Sequence, residues 1–165
     1  MSLDLDRFNA LPATEAAEAL LACCGSRAWA RRMAESRPFQ DLESLQKKSD
    51  AIWRSLGGED WREAFAAHPR IGEKGSRWSE QEQAGARGAD AQVLAELVEA
   101  NRDYETRFDH IFIVCATGKT AAEMLGLLRA RLSNDPETEL RIAAEEQRKI
   151  TNLRLEKLIL KGINS

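Results

Sequence analysis

Helix starts and stops recur along this chain, and a single stretch, residues 110–118 (His-Ile-Phe-Ile-Val-Cys-Ala-Thr-Gly), is rich in residues that favour an extended backbone. A lone strand-like segment has no partner strand, so a sheet architecture is excluded and the chain is confined to an all-α fold. Thr14 can cap a helix that runs to Cys24 and stops at Gly25, and Ser26 can cap the next, which Arg37-Pro38 ends. Asp41 opens a third helix with Leu42, Leu45, Ile52, Trp53 and Leu56 as its apolar positions, closed by Gly57-Gly58. Asp60 opens a short fourth that breaks at His68-Pro69. A helical stretch starts at Ser79, a longer helix carries Val93, Leu94, Leu97, Val98, Tyr104 and Phe108, and stretches 119–132 and 136–160 complete the inventory. The expectation is one domain over residues 1–165, a bundle of about seven to nine helices with a short extended segment near 111–117. Such a segment, threaded between helices, leaves main-chain amides and carbonyls in need of partners, which a polar ligand can supply.

Bulk properties narrow the function classes. With 165 residues, 43% hydrophobic and 31% charged, the composition is that of an ordinary globule, and an apolar run such as 111–116 is far too short to cross a bilayer. A net charge of -3 argues against a nucleic-acid partner, because phosphate affinity needs concentrated positive charge. The acidic start, Asp4 and Asp6, lacks the basic and apolar regions of a secretory signal, so a cytoplasmic location is expected. Cys23, Cys24 and Cys115 are an odd count, and adjacent Cys23 and Cys24 on a helix could bridge only with backbone distortion; free thiols in a reducing interior fit better. Two histidines without Cys-x-x-Cys or His-x-x-x-His spacing leave no expectation of a metal.

Chemistry concentrates in Ala67-His68-Pro69-Arg70-Ile71-Gly72-Glu73-Lys74 and in the nearby Ser79-Glu80-Gln81-Glu82-Gln83. Proline forces His68 out of helical geometry, so its ring can point into a cleft; equally, it can be a satisfied histidine at a helix end. Ser79-x-x-Glu82 is a capping-box spacing, and Glu82 either closes that box or faces a substrate. Gln83 offers a donor and an acceptor on one amide, suited to urea-like groups. His110 reads as structural. On a helical wheel Arg154 falls among Leu140, Ala143, Ala144, Ile150, Thr151 and Leu158, where a guanidinium needs an anion: either an internal glutamate or a substrate carboxylate. Thr117-Gly118-Lys119-Thr120 is no phosphate loop, since Ile113 stands where the first glycine must fall; Lys119-Thr120 should begin a helix.

These residues, taken in order, resemble the family of 2-oxo-4-hydroxy-4-carboxy-5-ureidoimidazoline (OHCU) decarboxylases, which act on the route from urate to (S)-allantoin. The resemblance rests on Phe8-Asn9, Arg37-Pro38-Phe39, His68-Pro69-Arg70-Ile71-Gly72, Ser79-x-x-Glu82-Gln83, Asn101-x-x-Tyr104, Phe112-Ile113-x-x-Ala116-x-Gly118 and Glu146-Gln147-x-Lys149-Ile150-x-x-Leu153-Arg154. The wording His-Pro-Arg-Ile-Gly is similar to the bacterial branch. The resemblance implies His68 as catalytic acid/base, Glu82 as its carboxylate partner and Arg154 as the anion-binding arginine. It implies substrate lining by Pro69, Ser79, Gln83, Ile113, Val114, Cys115, Ala116 and Thr117, in a cofactor-free, all-helical homodimer whose partner is a small ureide. Two other functions fit the residues alone: a small helical hydrolase of a cyclic ureide, and a non-catalytic interaction module in which His68, Glu82 and Arg154 form a buried network.

Overall fold

The computed structural model describes residues 4–70 and 91–159. Among them are eight α-helices and no strand: α1 (Leu5–Ala10), α2 (Ala13–Leu21), α3 (Arg27–Glu35), α4 (Leu42–Ser55), α5 (Gly58–Ala66), α6 (Ala91–Phe108), α7 (Ala121–Arg131) and α8 (Pro136–Ile159). The all-α expectation therefore holds. The helical stretch expected from Ser79 lies outside the described residues. The backbone groups into two compact units, one formed by the chain up to Ala64 with the chain from Arg148 onward, the other by Phe65–Gln147.

In the first unit, side chains set most helix entries. Asp4 accepts from the Arg7 amide at 2.7 Å, Ser26 from the Trp29 amide at 3.2 Å and Asp41 from the Ser44 amide at 2.7 Å, so three otherwise orphaned donors are satisfied. Thr14 does not act as expected. Pro12 occupies the cap position of α2 with its ring-fixed φ of -54°, and Thr14 falls inside the first turn. That helix also stops at Leu21, which leaves Cys23 and Cys24 in a turn whose amides both bond the Leu20 carbonyl, at 2.9 and 3.1 Å. Helix α5 begins two residues before the expected Asp60, because the Gly57 carbonyl already accepts from the Trp61 amide at 3.1 Å.

Two of the motif pieces in this unit are structural. The Arg37 guanidinium donates to the carbonyls of Phe8 at 2.9 Å, Leu11 at 2.7 Å and Ala34 at 2.9 Å, tying together the C-terminal ends of α1 and α3, where carbonyls lack helical partners. Asn9 and Phe39 exchange a reciprocal pair, side-chain amide to carbonyl at 2.9 Å and backbone amide to side-chain oxygen at 3.0 Å. Trp29, fully buried, donates its indole N–H to Ser49 at 3.1 Å, as a buried tryptophan must find an acceptor.

The second unit packs one apolar cluster from Leu97, Ala100, Tyr104 and Phe108 of α6, Met124, Leu125 and Leu128 of α7, and Phe112, Val114 and Ala116. Those last three alternate along the chain, as side chains of an extended backbone do, so the 110–118 stretch is strand-like in its packing without a sheet. Asp109, at φ 62°, closes α6 in the left-handed region, and Gly118, at φ 80°, makes the turn into α7. Thr120 then caps α7 through a full capping box with Glu123, which accounts for Lys119-Thr120 beginning a helix.

Candidate active site

Helix α5 ends at Ala66, the His68 amide bonds the Phe65 carbonyl at 3.1 Å, and Pro69 prevents a further helical turn. This turns the imidazole inward: His68 is 9% exposed, and its Nε2 lies 2.6 Å from Oε1 of Gln147 on α8, itself fully buried. Pro69 is half-buried beside it. Arg70 instead faces solvent and makes a two-pronged pair with Glu105, each contact 2.7 Å.

The extended segment reaches the same helix. Glu146, the neighbour of Gln147, accepts from the Cys115 amide at 2.9 Å, so consecutive residues of α8 hold the imidazole and the 113–117 backbone. The Cys115 carbonyl accepts from the Lys119 ammonium at 2.8 Å, and the Ile113 carbonyl from Arg131 at 2.7 Å. The expectation that this backbone looks to a ligand for its hydrogen bonds is thus corrected at three groups: buried or half-buried charged side chains of the same unit already satisfy them. Ile113, Val114 and Ala116 are buried, Cys115 half-buried and Thr117 exposed.

Arg131 belongs to a buried ionic network that anchors this segment. Its Nε donates to Glu139 at 2.7 Å, a second donor of its guanidinium reaches the same oxygen, and the Tyr104 hydroxyl donates to that oxygen as well. The other Glu139 oxygen accepts from Asn134 at 3.1 Å. The guanidinium also lies 4.4 Å from the Phe112 ring centroid. Burial, and then the hydrogen bond to Glu139, hold the Tyr104 hydroxyl above the ordinary tyrosine value, with Arg131 partly opposing. His110 packs among Phe65, Tyr104 and Phe108, with ring centroids at 5.2, 5.5 and 6.3 Å, and its Nδ1 lies 3.0 Å from the Ile111 carbonyl oxygen.

Arg154 falls in the part of α8 that belongs to the first unit. It is half-buried, and at 100° per residue it falls between Ile150 and Thr151, both buried. The buried residues of α8 are Glu139, Ala143, Ala144, Gln147, Ile150, Thr151, Leu155 and Ile159, and of these Glu139 and Gln147 are side chains that a wheel drawn on hydrophobicity assigns to solvent. Within its unit burial pushes the Cys23 and Cys24 thiols up to about 12 and about 11, with the Arg154 charge partly opposing at both and the Ser26 and Thr151 hydrogen bonds opposing at Cys24. Both cysteines are therefore thiols, not thiolates, at neutral pH.

Ser79, Glu82 and Gln83 lie outside the described residues. Among the rest, the structure brings together His68, Pro69 and the 113–117 segment through Glu146 and Gln147. Sequence reasoning had left those two without a role, although both stand in the quoted motif and Gln147 is seven positions, two helical turns, before Arg154.

A family model described as OHCU decarboxylase matches residues 9–156. The uric acid degradation bifunctional protein TTL of Arabidopsis thaliana is 43% identical over 145 residues, which covers 82% of this chain and 45% of that protein. The 2-oxo-4-hydroxy-4-carboxy-5-ureidoimidazoline decarboxylase of Amia calva is 40% identical over 131 residues, 74% of this chain and 75% of that one. The chain spans less than half the length of the bifunctional relatives it matches, 45%, 27% and 33% of three of them. Among solved structures, an OHCU decarboxylase crystallised in the presence of (S)-allantoin superposes with a TM-score of 0.78 at 42% identity, over 85% of this chain and 96% of that one. An (S)-allantoin synthase superposes with a TM-score of 0.73 at 20% identity, a likeness of fold alone.

Proposed function

The chain belongs to the OHCU decarboxylase family, and from that premise we propose that it decarboxylates 2-oxo-4-hydroxy-4-carboxy-5-ureidoimidazoline to (S)-allantoin. The observation that carries this reading is the buried imidazole of His68, held at 2.6 Å by Gln147 at a helix break beside the 113–117 segment. A buried imidazole held in one orientation is suited to acid/base work on a ligand bound beside it.

The chemistry asks little more of the protein. The carbon that loses CO₂ carries the hydroxyl and lies next to a ring C=N. When its bond to the carboxylate breaks, the electron pair enters the ring, so the substrate is its own electron sink and no cofactor is needed. The ring nitrogen that receives the pair takes a proton from water, the hydroxyl-bearing carbon becomes a carbonyl as its hydroxyl proton leaves, and one proton is returned to the neighbouring carbon. We assign the return to His68 and the hydroxyl proton to His68 with Glu82, while Arg154 holds the carboxylate out of the ring plane. Delivery from one fixed face makes one enantiomer. Pro69, Ser79, Gln83 and residues 113–117 are assigned to the substrate's lining, and the whole chain to one decarboxylase domain. A cytoplasmic homodimer completes the proposal; the free thiols Cys23, Cys24 and Cys115 favour a reducing compartment. No helix among the described residues is long and apolar enough to cross a membrane.

The test is turnover of freshly generated substrate, followed by CO₂ release and by circular dichroism of the product. One CO₂ per substrate with the ring intact and a single product hand is expected. Ring opening would identify a hydrolase, and no turnover or binding would leave an interaction module.

A further inference from the structure

We infer that Gln147 is a positioning residue that fixes the tautomer of His68, so that Nδ1 is the imidazole nitrogen that exchanges a proton with the ureide. The inference rests on the proposed decarboxylation for its last clause and on the structure for the rest. An amide oxygen is an acceptor only, so at 2.6 Å from Oε1 of Gln147 the His68 Nε2 carries the hydrogen. In the neutral ring Nδ1 is then the basic nitrogen, and it becomes the second N–H when the ring is protonated. Which nitrogen is basic decides which edge of the imidazole can serve the substrate.

Gln147 is well suited to this work. It is fully buried on α8, in line with Ala143 and Ile150, and the preceding residue, Glu146, is fixed on the Cys115 amide, so the side chain has little freedom to turn away. A carboxylate in its place would fix the tautomer and also favour the imidazolium. The neutral amide fixes the tautomer without itself favouring the imidazolium.

The experiment is ¹⁵N nuclear magnetic resonance of the full chain labelled at histidine, in the pH range where His68 is neutral, with its signals assigned by their loss in His68→Ala. The expected pattern is hydrogen on Nε2; hydrogen on Nδ1, or rapid averaging between the two forms, overturns the inference. Gln147→Met keeps the length and removes the acceptor, so kcat should fall about 10²-fold with KM within about threefold, and the tautomers should mix. Gln147→Glu restores an acceptor and should recover kcat to within about tenfold of wild type, as a merely structural role would not. Equal loss in both variants with an unaltered tautomer counts against it. Should Gln147→Met not fold, the wild-type spectrum and the Glu variant still decide. The two levels separate cleanly: an Nε2–H tautomer in a protein that releases no CO₂ refutes the decarboxylation alone, and turnover with an Nδ1–H tautomer refutes the tautomer lock alone.

Discussion

Two buried polar constructions stand in the same unit and solve different problems. Around Glu139, two opposite charges and a phenol close on one another: Arg131 and Tyr104 converge on one carboxylate oxygen, Asn134 takes the other, and a further arm of Arg131 pins the Ile113 carbonyl. At His68 and Gln147 a titratable ring meets a neutral amide at 2.6 Å. The first arrangement fixes charge and geometry together, because a desolvated carboxylate without its cation is strongly unfavourable. The second holds a ring through an uncharged partner.

Substitutions at the two places should fail in different ways. The largest effect is expected from His68→Ala, with kcat reduced about 10²–10⁴-fold and stability by only about 1 kcal/mol, read by steady-state turnover beside a denaturant titration. A wild-type rate would remove the functional half of the contrast. Next comes Arg131→Met, which leaves the Glu139 carboxylate buried without its cation and should cost about 3–5 kcal/mol in a urea titration. A loss below about 1 kcal/mol would mean the network is not the anchor described.

Tyr104→Phe is the mildest, about 1.5–3 kcal/mol, for one hydrogen bond to a charged group. It also carries a pH signature. The folded hydroxyl keeps its proton above the ordinary value of 10.0, so the unfolded chain ionises first; the stabilisation is complete below about pH 10 and declines as pH rises beyond it. Cys24 and Cys23, raised from 9.0 to about 11 and about 12, act in the same sense from about pH 9. Tyr104→Phe should therefore remove the part of the alkaline decline that begins near pH 10 and leave the cysteine part. Tyr104 is the chain's single tyrosine, so tyrosinate absorbance reads it alone. Tyrosinate forming near pH 10 in the native protein would contradict its burial and bonding.

Much of the architecture was legible residue by residue because helix boundaries are local events. Ser26, Asp41 and Thr120 cap within three residues of themselves, and the His68-Pro69 break needs only the proline ring. Legibility failed where a local signal had a local rival, as at Thr14, which lost the cap position to Pro12. For the candidate site, the sequence marks the histidine at the break as a candidate but gives no sign of the glutamine that bonds it. Gln147 is 79 positions away, and a glutamine on a helix reads as solvent-facing until burial is known.

Composition, punctuation and the single unpaired extended stretch were enough to fix an all-α chain and the family's motifs in their order, because these depend on backbone preferences and nearest neighbours. Pairing was settled by the packed structure: Glu139 under Arg131 and Tyr104, Glu146 on the Cys115 amide, Gln147 on the imidazole. The partners that offset the desolvation of these side chains come from distant parts of the chain, and such partners are selected in three dimensions.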